Sequence, residues 1–174
     1  MANNNPSIVK QSIKFGVIQA CLSILHSITL NITDINLSKK TNTLVNLLIL
    51  IIPIFYGIYK YKNTNNGFLK LKEAIKVGFI ISLIGIMITM IWIIFEYNVL
   101  EPGKLDQLMD KEKDEILLNN MDKSFEEINR SIEFAKKFSV PGYLGSSILV
   151  IAHIFSGLII SLIVGAVIHK KKEL

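Results

Sequence analysis

The chain has 174 residues, 51% of them hydrophobic, with 19 Lys or Arg against 14 Asp or Glu and a formal net charge of +5. Its mean hydropathy is +0.46, and the apolar residues come in long uninterrupted blocks with the charges between them, unlike a soluble domain with one core and a charged coat. A nucleic-acid partner is not implied, because the lysines flank apolar blocks instead of forming a basic face, and the single cysteine, Cys21, leaves no intrachain disulfide.

The first candidate span, residues 15–33, is the most polar, with Gln19, Ser23, His26, Ser27, Thr29 and Asn31. Lys10 and Lys14 ahead of it could serve a signal peptide. Against that, Gln19 interrupts the apolar core and no small-x-small cleavage pattern follows. Gly16, Gln19, Ser23, His26 and Ser27 keep i, i+3, i+4 spacing, so the polar groups share a face that can turn toward other helices. The second span, residues 44–59, contains Pro53, and a kink is expected there. The third, residues 77–95, is free of charge and rises about 28 Å as a helix, close to the thickness of bilayer hydrocarbon.

Residues 100–140 form a polar segment that reads as two amphipathic helices. Leu105, Leu108, Met109, Glu112 and Ile116 trace one face, and Phe125, Ile128, Ile132, Ala135 and Phe138 a cleaner one. Ser124 and Glu127 have capping-box spacing ahead of the second run. Asn119 and Asn120 would turn the chain between them, while Pro102-Gly103 and Pro141-Gly142 mark the two ends. Such helices pack on each other, lie on the outer bilayer surface with their charged faces solvated, or form a docking surface for a membrane or periplasmic protein. Their mixed charge argues against attraction to anionic lipid. The fourth span is residues 144–168.

The fold class that follows is all-α: a single transmembrane domain over residues 1–174, built as an integral membrane four-helix bundle with a helical segment outside the membrane between spans three and four. One side gathers ten lysines, at 10, 14, 60, 62, 70, 72, 76 and 170–172, against Glu73 and Glu173, a net +8. The other holds Lys39, Lys40 and the 100–140 segment, which has ten acids and seven bases. Positive residues collect on the cytoplasmic side, so both termini are expected there. Tyr56, Tyr59 and Tyr61 then fit an inner interfacial belt, and Trp92, Tyr97 and Tyr143 an outer one.

Within the spans, small residues recur at four-residue spacing: Ala74, Gly78 and Ser82 in the third, Gly157, Ser161 and Gly165 in the fourth. Such stripes let helix backbones approach closely, either within one chain or between copies. His26 and His153 lie at similar depth, each on its helix's small or polar stripe, a placement that would allow them to meet inside the bundle. They read either as neutral imidazoles bonding helix to helix or as a proton or ion pathway. A metal site is disfavoured, since zinc wants at least three protein ligands and Cys21 is rotated away from His26. Glu96 and Asp34, at span ends, read as reaching for water. No catalytic residue, cofactor or metal site is expected: GxSxG, HExxH, CxxC and Gly-rich phosphate loops are all missing.

Gly67-Phe68-Leu69-Lys70 followed by Glu73-Ala74-Ile75-Lys76-Val77-Gly78, and on through the third span to Glu101-Pro102, resembles an uncharacterised bacterial family of small four-span membrane proteins, the domain of unknown function 4199. So do Gly57-Ile58 with Lys60 and Lys62, and the run from Ser161-Leu162-Ile163 to Lys170-Lys171-Lys172. The likeness covers nearly the whole chain, although Lys60-Tyr61-Lys62 departs from it by lacking an arginine. It implies location in the bacterial inner membrane and the span count; no functional residue transfers from it. The expected role is a non-enzymatic accessory or interaction subunit of a membrane assembly, with the lipid bilayer as one partner. The second reading is a small oligomeric transporter or channel using the polar stripe. An enzyme acting on lipid-linked substrates comes last, for want of an acid, base or metal cluster.

Overall fold

The computed structural model describes residues 7–33, 37–103, 106–107, 110, 124–138 and 143–169. Its helices are α1 (Ile8–Thr33), α2 (Lys39–Thr64), α3 (Leu71–Phe95), a shorter α4 (Phe125–Phe138) and α5 (Tyr143–Ile168). The four long ones have 25 or 26 residues each, about 38 Å at 1.5 Å per residue, which exceeds the hydrocarbon thickness. All four are apolar enough to cross a bilayer. The protein is an all-α helical bundle and a multi-pass membrane protein.

These helices outrun the apolar blocks by one to two turns, notably at Ile8, Lys39, Thr64 and Leu71. A lysine at the membrane edge keeps its backbone helical while its long side chain reaches water, so hydropathy falls before the helix ends. Capping sets the ends instead. The Ser7 hydroxyl accepts the Lys10 N–H (3.4 Å) at the head of α1, and the Ser38 hydroxyl accepts the Thr41 N–H (3.2 Å) at the head of α2. α2 runs through the buried Pro53. It then turns at Asn66 (φ 55°) and Gly67 (φ 79°), where the Gly67 N–H donates to the Lys62 carbonyl at 2.9 Å. The Glu73 carboxylate accepts the Lys70 N–H (2.8 Å), opening α3 with half of a capping box. α3 winds into a π-helical turn over Glu96–Leu100, in which Glu96 is buried. The chain leaves that turn through Gly103, whose φ of 100° favours a residue with no Cβ.

Contacts divide the chain into two compact units, residues 1–89 with 152–174, and residues 90–151. The first has its apolar core among Leu50, Ile54 and Ile58 of α2 and Ala74, Val77 and Ile81 of α3, closed by Leu69 of the connecting turn. Phe15 from α1, and Ile160 and Val164 from α5, pack against it. Much of the remaining helix surface is apolar and exposed, as a lipid solvent allows: Ile32, Leu44, Phe155, Ile163 and Val167 all face outward.

In the second unit α4 has the pattern of a helix in contact with water. Ile128 and Ile132 are buried, while Glu126, Glu127, Arg130, Glu133, Lys136 and Lys137 are exposed. Its capping box is formed: the Ser124 hydroxyl accepts the Glu127 N–H (3.3 Å) and the Glu127 carboxylate accepts the Ser124 N–H (3.1 Å). Lys136 bonds Asp106 at 2.7 Å. The face through Leu105, Leu108, Met109, Glu112 and Ile116 lies outside the described residues, as do Asn119, Asn120, Pro141-Gly142, Asp34 and Lys170–Lys172.

Candidate functional site

Small residues and buried serines of the first unit meet along the seam where α3 and α5 run antiparallel. Three small residues from each helix mesh in steps of four. A Cβ built on Gly78 would overlap the Ser161 side chain. One on Gly157 would overlap Ser82, whose own Cβ lies 2.7 Å away. One on Gly165 would lie 2.6 Å from the Ala74 Cβ. The backbones thus approach to a distance that only glycine on one side of each contact permits. Both serines are fully buried. Their hydroxyls bond within their own helices, Ser82 to the Gly78 carbonyl and Ser161 to the Leu158 carbonyl, each at 2.9 Å. The seam therefore buries hydroxyls without leaving them unpaired.

α1 closes on this seam. Gly16 admits Ile84 (a Cβ there would lie 2.8 Å from the Ile84 Cβ) and Gly57 of α2 admits Ile81. One turn beyond Gly16, Gln19 is fully buried with its amide against Gly85, where a Cβ would lie 2.9 Å from the Gln19 Nε2. That amide nitrogen lies 2.7 Å from the His153 Nε2 of α5. An amide N–H can only donate, so in this arrangement the imidazole Nε2 accepts and the ring proton sits on Nδ1. Turned over, the amide would present Oε1 to a protonated Nε2. As placed, Oε1 of Gln19 is buried without a partner among the described residues, as is the Ser12 hydroxyl two turns nearer the N-terminus.

The structure therefore does not bring His26 and His153 together. His26 lies two turns beyond Gln19 on α1, about 10 Å along the axis. Its Nε2 lies 2.9 Å from the Asn42 Oδ1 of α2, which also accepts from the Asn46 amide at 3.2 Å. Counting residues sets the depth of a side chain in the bilayer but not its direction around the helix. Similar depth and a place on each helix's stripe made the two histidines seem partners, but neither says which stripe faces which.

Three members of the site escaped the sequence reading. Gly85 lies three residues after Ser82 and so falls off the four-residue comb. Ser12 extends the α1 stripe by four residues from Gly16, ahead of the apolar block that set the span's start. Asn42 precedes the apolar block of α2. Among the described residues no three His, Cys, Asp or Glu side chains gather where they could hold a metal ion. The chemistry open to the seam is hydrogen bonding and, at one imidazole, the gain or loss of a proton.

A family model described as "Protein of unknown function (DUF4199)" matches residues 14–170. No curated protein matches the chain, and no solved structure does.

Proposed function

This chain belongs to the DUF4199 family, and we propose that it acts without catalysis, as an accessory or interaction subunit of a larger assembly in the bacterial inner membrane. The supporting observation is the meshed seam itself. The residues that could have lined a conduit, Ser82, Ser161 and Gln19, are fully buried among the helices that they join. Meanwhile α1 and α5 keep only 17% of their most apolar stretches inside the chain, leaving long faces open to lipid or to another membrane protein. Phe155 and Ile163 lie on that open part of α5. The exposed charges of α4 supply a second surface, suited to a membrane or periplasmic partner. The lysines at the head of α1, the end of α2 and the head of α3 support cytoplasmic termini.

Photo-crosslinking from Phe155 and Ile163 in native membranes tests this role. A discrete adduct with a second protein is expected; recovery of the monomer alone from both positions overturns it. A transport function has one observation in its favour, the Gln19 Oε1 beside His153, buried and without a partner among the described residues. Proton flux into vesicles holding the purified chain, abolished by His153→Leu, would favour that reading over the accessory one.

A further inference from the structure

A groove of about 460 Å³ lies between the first turns of α1 and the last turns of α2. Lys10 and Lys14, four residues apart on α1, line it together with Lys60 of α2. Among the described residues no acidic side chain contributes to its wall, and none pairs with these three ammonium groups. Nearby, the Thr64 hydroxyl donates to the Gln11 Oε1 (3.3 Å), tying the two helices at the groove's polar end. The opposite end is apolar, formed by Phe15 and Ile18. Ile18 is half-exposed there and lies one turn deeper than Lys14. That turn is where the charged head of α1 gives way to its apolar run, at the level where lipid headgroups meet acyl chains.

We propose that this groove binds an anionic phospholipid, with its phosphate among Lys10, Lys14 and Lys60 and the upper part of an acyl chain against Phe15 and Ile18. Three exposed lysines around one groove, with no acidic side chain among its described lining residues, favour an anion as its occupant. An apolar floor continuous with the bilayer calls for a ligand that is itself amphiphilic. A free phosphate satisfies the first condition and gains nothing from the second. Basic pockets between spans are a recurrent way of holding lipid headgroups. The groove is separate from the Gln19–His153 pair and does not depend on the accessory role.

The full chain in phosphatidylcholine nanodiscs, with cardiolipin or phosphatidylglycerol titrated in, provides the test, with lipid retention read by native mass spectrometry. Either anionic lipid is expected to be retained over phosphatidylcholine, cardiolipin more strongly if both of its phosphates are engaged. The Lys10→Gln, Lys14→Gln, Lys60→Gln triple variant is expected to bind about 100-fold more weakly, a factor of roughly five for each lysine near the surface. Lys72→Gln and Lys76→Gln, outside the groove, serve as the charge control and are expected to change binding little. Ile18→Asn is expected to weaken lipid retention while leaving any affinity for inorganic phosphate unchanged. Equal retention by the triple variant and the wild type overturns the proposal. So does an equal loss in the Lys72 and Lys76 variants, which would reduce the effect to general charge. Displacement of the lipid by millimolar inorganic phosphate also overturns it, because the site would then be one for the free anion.

Discussion

Gly78→Ala separates packing from helix propensity by the sign of its effect. In an isolated helix, alanine is about 1 kcal/mol more favourable than glycine. In the seam, the added methyl overlaps the Ser161 side chain and lies 3.3 Å from the Gly157 carbonyl. The Ser161 Cβ is fixed to its backbone and cannot rotate away, so α3 and α5 must part by about 1 Å. Overpacking of this kind costs roughly 1 to 3 kcal/mol. The same separation loosens the contacts of Ser82 with Gly157 and Ala74 with Gly165, because a gap of 0.5 to 1 Å forfeits a quarter to a half of each dispersion well. Net destabilisation of about 2 kcal/mol is expected, some thirtyfold in the unfolding equilibrium. Reversible unfolding in mixed micelles, followed by circular dichroism, measures it. Ser161→Gly on its own should cost about 1 kcal/mol through the void that it leaves. Added to Gly78→Ala, it should restore stability, with a coupling of at least about 1 kcal/mol. A Gly78→Ala protein more stable than the parent, or a double variant whose losses simply add, would show that the two helices do not mesh here.

Replacing His153 by Leu removes the partner of the Gln19 amide and should cost about 1 kcal/mol, the usual scale for a hydrogen bond between membrane helices, read by the same unfolding assay. Gly85→Ala should displace the Gln19 amide and shift the His153 ring signals in ¹⁵N NMR; unchanged signals would mean that the amide does not lie on Gly85. Ser124→Ala should weaken the start of α4 by about 1 kcal/mol, seen as faster amide exchange over residues 125–128. Lys136 has its pKa raised, first by the hydrogen bond from its ammonium group to Asp106 and then by that carboxylate's charge. A raised lysine pKa adds stability that is complete below the ordinary lysine value and is lost as pH climbs through the raised one. Asp106→Asn should therefore lower the Lys136 titration midpoint seen at its Cε in ¹³C NMR, and an unmoved midpoint would refute the pair.

The number of long helices was legible because an apolar run of twenty residues is a local property that needs no knowledge of its neighbours. Spacing along one helix was legible for the same reason: Ala74, Gly78 and Ser82 announce a stripe by themselves. Which stripe meets which is decided between helices, and there the reading of His26 with His153 gave way to Gln19 with His153. The decisive residue was Gly85, a lone glycine that becomes meaningful only when the Gln19 amide is seen lying on it. The helices run past the apolar blocks for a different reason. Hydropathy reports where lysines begin, whereas the caps at Ser7 and Ser38 decide where the helix begins. In α4, by contrast, the Ser124–Glu127 spacing is a signal contained within four residues, and the reciprocal hydrogen bonds follow it directly.

Because Ser82 and Ser161 keep their hydroxyl protons on their own helices, α3 and α5 can draw apart without stranding a polar group in oil. Gln19 and His153 have no such freedom, since parting them leaves an amide and an imidazole facing hydrocarbon. Assembly in the bilayer can therefore be reversible and error-tolerant while the two glycine-bearing helices search for register. The glutamine–imidazole bond is the contact that holds α1 to α5 once it has formed.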